Sequence, residues 1–183
     1  MGIWEQYYSS ARQELITRIT LRDSTLGGYL AFLAVVLGLV FRETGEGLNS
    51  PVLFAIPYIS SVVGVIVSQH HLLIGRIGQY IKEELAAQLP HDSPKVSWDR
   101  SSSLFGVLGF ATWSRTITHA IVLQGSACWS LYVTFGKAWQ PANNLRTLWL
   151  GGLVLTVVSF AVAMSCEVMR WEKAPVRPQR GKS

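Results

Sequence analysis

Four long stretches of this sequence contain no Asp, Glu, Lys or Arg: residues 24–41, 51–69, 116–136 and 147–166. Charged residues make up only 15% of the 183 residues, against about 25% in ordinary globular chains. A soluble fold is therefore not expected, because surface helices keep a charged or polar face. Cysteine is scarce too. Cys128 and Cys166 form neither a disulfide framework nor a metal-binding spacing. Their places along the spans put them roughly 15 Å apart along the membrane normal, too far for a bridge, which needs Cα atoms within about 7 Å. No G-x-S-x-G, H-E-x-x-H or Walker loop is present, so nothing points to a known catalytic device. The N-terminus has no short apolar core followed by small residues, which excludes a cleavable signal. Gln6 breaks the myristoylation pattern that begins at Gly2.

The composition that remains suits a membrane. Hydrophobic residues are 49%, with seven Trp, seven Phe and six Tyr. Trp and Tyr favour the membrane–water boundary, where the ring is apolar and its N–H or O–H stays wet. A helical span takes about 20 mostly apolar residues, so the four uncharged stretches are read as four spans. The stretch 116–136 is the weakest, since it carries Thr118, His119 and Gln124. In 51–69, Pro57 predicts a kink whose freed carbonyl a neighbouring helix would satisfy. Cations set the orientation. Thirteen of the sixteen Lys and Arg lie before the first span, between the second and third, and after the fourth. That asymmetry places both termini and the middle stretch in the cytoplasm. The net charge of +5 then faces anionic lipid at the cytoplasmic surface. No basic patch carries base-stacking aromatics, which excludes nucleic acid.

The cytoplasmic stretches have a period of their own. Trp4, Tyr8, Ala11, Leu15 and Ile19 recur at steps of three or four before the first span, and Leu73, Ile77, Ile81 and Leu85 recur at steps of four after the second. Each set marks one face of a helix. Helices over 4–23 and 70–89 are expected as extensions of spans 1 and 2, pairing as an antiparallel hairpin, with Pro90 as the stop. Gly75 and Gly78 fall inside this helical pattern, not in a phosphate-binding turn. The apolar run 104–113 is too short to cross and is expected at the inner interface or beneath the bundle. Residues 172–183 read as a disordered basic tail. The expected fold is all-α: a four-span bundle forming a single membrane domain over 1–171.

Small residues and polar residues mark where helices meet and where chemistry could sit. The first span carries Gly27, Ala31, Ala34 and Gly38 on one stripe, and the second carries Ser60, Gly64 and Ser68. Such stripes let helices approach closely, within one bundle or between copies of the chain. At the inner boundary, Arg22, Asp23, Gln69, His70, His71, Arg115, His119 and Glu167 share one depth. This is an ordinary interfacial collar or a cytoplasm-facing ligand or gating site, which histidine could tune near neutral pH. His70 and His71 are adjacent and so point about 100° apart on a helix. They do not make the one-face pair a metal needs, and neither a metal nor a cofactor is expected. Gln124 is the most polar mid-span side chain, suited to an interhelical hydrogen bond or a pore contact. No span holds a formal charge, which argues against a proton pump or ion-coupled transporter.

The segments RQELITRITLRDSTLGGYL and VSQHHLLIGRIGQYIKEEL resemble a group of small bacterial integral membrane proteins. These have R-I-x-x-R before the first span and Q-H-H-x-x-I-G-x-I-G-x-Y/F after the second. The resemblance covers the first half of the chain. It implies a bacterial inner membrane and transfers no activity. Arg18, Arg22, His70, His71 and Tyr80 are the matching positions. Taken together, the sequence predicts a non-enzymatic membrane protein that self-associates or binds a cytoplasmic partner, as a channel-like assembly or a membrane-perturbing effector. A small-molecule or lipid transporter would need a midplane cavity with convergent polar groups. A membrane enzyme would need His70 or His71, His119 and Glu167 around one point.

Overall fold

The computed structural model describes residues 2–42, 51–85, 88, 117–140 and 144–171. Among these the chain is almost entirely helical and contains no strand. Helix α1 runs unbroken over Ile3–Arg42. A 3-10 turn, Pro51–Phe54, leads into α2, Ala55–Tyr80, which continues through a π-helical turn, Ile81–Leu85. Helix α3 is helical from residue 117, passes through a π-helical turn at Ile121–Gly125, and ends as Ser126–Ala138. Helix α4 spans Leu145–Trp171. Three helices, Ile3–Arg42, Pro51–Leu85 and Leu145–Met169, are long and apolar enough to cross a membrane. Helix α3 is shorter and interrupted by its π-turn, in keeping with the polar residues it carries.

Length alone shows that α1 exceeds any bilayer core. Its 40 residues reach roughly 60 Å at 1.5 Å per residue, about twice the hydrocarbon thickness. The N-terminal part packs against the far end of α2. Tyr8, Ile81 and Leu85 are buried together, with Ala11, Leu15 and Ile77 beside them. These are the middle parts of the two periodic faces of the sequence, laid against each other antiparallel; Trp4 and Leu73, expected on the same faces, are exposed. Residues 86–89 of the expected second extension lie outside the described residues, apart from a turn at Gln88.

Helix α2 is the centre of the molecule and packs against all three other helices. Towards one end, Val36 and Val40 of α1 bury against Leu53 and Ile56. Nearer the middle, Tyr29, Val67 and Leu123 tie α1, α2 and α3 together. Against α4 the approach is close. A Cβ on Gly151 would come within 2.6 Å of the Tyr58 hydroxyl, and one on Gly152 within 3.1 Å of Pro57. The Tyr58 hydroxyl donates to the Leu148 carbonyl at 2.7 Å.

Pro57 sits in the first turn of α2, directly after the 3-10 turn, where a missing N–H is best tolerated. The Leu53 carbonyl, four residues back, is the group that Pro57 cannot serve. Ser130 of α3 donates to it at 2.6 Å. A proline in one helix is thus answered by a serine in another. At the α3–α4 junction, Phe135 stacks on Trp139 and Trp149 meets both edge-on, with centroids 4.9–5.5 Å apart. Arg146 lies 5.0 Å over the Trp139 ring, and the Trp149 N–H donates to the Leu131 carbonyl at 2.8 Å. Rings with an apolar body and a hydrogen-bonding edge suit a membrane boundary.

Candidate functional site

The two adjacent histidines serve different interfaces, as the 100° step requires. His70 faces α1. Burial, and after it the nearby charges of Arg18 and Arg22, hold its pKa below the usual histidine range. Its Nδ1 is buried without a hydrogen-bond partner. Arg22 itself is only 3% exposed and grips one carboxylate oxygen of Asp23 through Nε at 2.9 Å and Nη2 at 2.6 Å. A buried guanidinium left without such a partner would be strongly destabilising. Arg18 pairs with Glu14 one turn earlier at 2.6 Å.

His71 points the other way, into the space between α2, α3 and α4. Its Nε2 lies 2.9 Å from Nδ1 of His119, with the ring centroids 5.1 Å apart. One imidazole donates and the other accepts. This pair lies at one end of a cavity of about 90 Å³. Cys166 and Glu167 of α4 line the same end region, and Ser68, Leu123 and Gln124 line its walls with Phe160, Ala163 and Met164. Gln124 belongs to the π-helical turn of α3. Such turns displace a side chain from the ordinary helical register and are common where helices carry function.

The far wall is built around Gln124. Its Nε2 donates to Ser159 Oγ of α4 at 3.1 Å. Its Oε1 is buried and has no partner. Directly opposite stands Gly64, where a Cβ would meet Ser159 Oγ at 2.7 Å and Gln124 Nε2 at 3.5 Å. The glycine is therefore what allows α2, the α3 amide and the α4 hydroxyl to meet. Ser68 turns its hydroxyl back to the Gly64 carbonyl at 2.8 Å.

The structure thus brings together His71, His119, Glu167, Gln124, Gly64 and Ser68 of the residues singled out in the sequence. It separates others from them. Tyr80 is exposed at the end of α2. Arg18, Arg22 and His70 form a second cluster between α1 and α2. Ser60 is fully buried and shares a hydrogen-bonded knot with Tyr29 and Ser126. Arg115 and the run 104–113 lie outside the described residues. Among the described residues no group of three or more His, Cys, Asp or Glu side chains could hold a metal.

The small-residue stripe of α1 has a different setting. Gly27, Ala31, Ala34 and Gly38 are all exposed. A Cβ added at Gly27 or Gly38 would meet nothing within 4 Å among the described residues.

Several contributors escape a reading of the sequence by type. Tyr29, Ser126, Ser130 and Ser159 carry the interhelical hydrogen bonds, and the available signal was that hydroxyls within an apolar span must find partners. Arg76 was read only as a cytoplasmic cation, yet it donates to the Met169 carbonyl of α4 at 2.6 Å. That ties the α2 extension to the end of α4, where unsatisfied carbonyls attract a cation. Comparison of the chain with protein-family models, curated proteins and solved structures finds no match.

Proposed function

We propose that this chain is a non-enzymatic, four-span protein of the bacterial inner membrane that self-associates through α1, with both termini in the cytoplasm. The observation that carries the reading is the outward stripe Gly27, Ala31, Ala34 and Gly38. Each glycine inside a helix is disfavoured by about 1 kcal/mol relative to alanine. The two glycines of the stripe therefore weaken α1, while a Cβ at either would meet no described atom within 4 Å. In lipid, where apolar surfaces gain little by meeting each other, close backbone approach is the main drive for helices to associate. A second copy seated on this face would use the stripe. Helix α3 supports four crossings: residues 117–138 reach roughly 33 Å, enough for a core of about 30 Å. Among the described residues the cavity between α2, α3 and α4 measures about 90 Å³, so a path across the membrane would more easily run between subunits.

The test is oligomeric state in lipid nanodiscs by native mass spectrometry. Wild type is expected as a defined oligomer. The double variant Gly27→Leu, Gly38→Leu is expected to be monomeric with its helix content kept, because a Cβ at either position meets no described atom within 4 Å and leucine is the better helix former. A wild-type monomer at all protein-to-disc ratios, or a double variant that keeps the oligomer, would falsify the reading.

A further inference from the structure

We propose that the His71–His119 pair is a pH-sensitive latch. It holds the residue 117 end of α3 against α2 while the two imidazoles carry at most one added proton between them, and releases it when both are protonated. The geometry of the pair, the charges around it and a hinge beside it lead to this device.

His71 Nε2 and His119 Nδ1 stand 2.9 Å apart, a hydrogen-bond length that requires one N–H and one lone pair. A neutral imidazole has one of each, whereas an imidazolium has two N–H groups and no acceptor. With no added proton the pair is bonded. With one, an imidazolium donates to a neutral ring, and the charge strengthens the bond. With two, N–H faces N–H across the same gap and no bond can form. His71 is only 9% exposed, so a second cation there would also lose most of its hydration. The second proton is therefore bound with the rings apart. Around the pair, α4 presents Cys166 and Glu167 to the same cavity. A carboxylate offsets one positive charge, which favours the singly protonated latch. On the other side of α2, Arg18 and Arg22 of α1 act on His70, and Asp23 holds Arg22. Among the described residues at this end of α3, His119 is the one that titrates.

The hinge is the π-helical turn Ile121–Gly125, which begins just after His119. Helices bend at such turns. Beyond it α3 is anchored: Gln124 donates to Ser159 Oγ at 3.1 Å, and the Ser126 hydroxyl bonds to that of Tyr29. Releasing the pair frees residues 117–120 to swing about the turn while the rest of α3 stays in place, and the cavity opens beside His71. The sign follows from counting protons. The open form binds one more proton than the singly protonated latch, so acid favours opening. The ratio of open to closed should rise by up to about tenfold for each unit of pH below the ordinary histidine value of about 6.5.

The experiment is distance measurement by double electron–electron resonance on the spin-labelled full chain in nanodiscs, at about pH 8 and about pH 5, either side of the histidine value. In a Cys128→Ser, Cys166→Ser background, Leu73→Cys and Ile117→Cys, both at exposed positions, report on the latch end of α2 and α3. Val62→Cys and Tyr132→Cys, exposed as well, report on the same two helices on the other side of the π-helical turn. Acid is expected to lengthen the first distance and leave the second unchanged. Glutamine donates and accepts without titrating, so His119→Gln should keep the short distance at both pH values. Where that variant fails to fold, His71→Gln carries the same expectation. His70→Gln leaves the pair intact and should open as the wild type does. A wild-type latch distance that is the same at both pH values, or equal lengthening of both label pairs, would overturn the latch. So would acid opening that survives either glutamine variant of the pair, or its loss in His70→Gln.

Discussion

Gly64 and Gly28 are the same residue type in the same kind of apolar helix, and they should respond oppositely to one added methyl group. At Gly64 the new carbon would sit 2.7 Å from Ser159 Oγ. Ser159 is 1% exposed and holds the Gln124 amide, so it has little room to move. Gly64→Ala should therefore destabilise by about 1–3 kcal/mol, the usual range for overpacking. A Cβ at Gly28 would meet nothing within 4 Å among the described residues, and alanine is the better helix former by about 1 kcal/mol. Gly28→Ala should be neutral or stabilising. Melting midpoints in one detergent decide it; the same shift from both variants would mean that α2 and α4 do not approach through Gly64. The sequence pattern marks Gly64 as a helix-packing residue and assigns Gly28, one step off the first-span stripe, no role. Spacing says that small residues share a face, but not which neighbour that face meets.

The two ends of α1 differ in how much of their packing the sequence revealed. In the extension, apolar residues alternate with Arg12, Glu14 and Arg18, so the face that buries is visible as a period. Tyr8, Ala11 and Leu15 do meet Ile77, Ile81 and Leu85. Within the span every face is apolar, because lipid and protein interior are equally dry, and the period vanishes. The inward positions Tyr29, Val36 and Val40 look no different in sequence from the exposed Leu30, Val35 and Leu39. The histidine site was half legible for the same reason. The shared depth of His71, His119 and Glu167 follows from counting residues. The π-helical turn that aims Gln124 depends on packing no local pattern records. The extension should also behave as a separable unit. Leu85 is 1% exposed, and Leu85→Ala removes a core side chain at about 2–5 kcal/mol. Hydrogen exchange should speed up in residues 3–20 and 77–85, while amides of 29–40 keep their protection. A uniform rise along α1 would show that the extension and the span open together.

For the whole molecule, the number of crossings has a parity that can be measured. Three helices satisfy length and hydropathy on their own. With three crossings the termini would lie on opposite sides of the membrane; with α3 as a fourth they lie on the same side. The positive-inside rule predicts the same side, since Arg12, Arg18 and Arg22 at one end and Arg177, Arg180 and Lys182 at the other both disfavour transfer across the bilayer. If α3 failed to cross, the three C-terminal cations would have to face outward. Single cysteines placed at Ser9, Gln140 and Ser183 in a Cys128→Ser, Cys166→Ser background distinguish the two arrangements. In intact bacterial cells a membrane-impermeant maleimide should label Gln140→Cys alone. In inverted vesicles it should label Ser9→Cys and Ser183→Cys together. Labelling of Ser183→Cys from outside the cell would make α3 a buried, non-crossing helix. Its Gln124 and His119 would then belong to a re-entrant element reached from the cytoplasm, because polar side chains on a non-crossing helix are kept from lipid only by the protein around them.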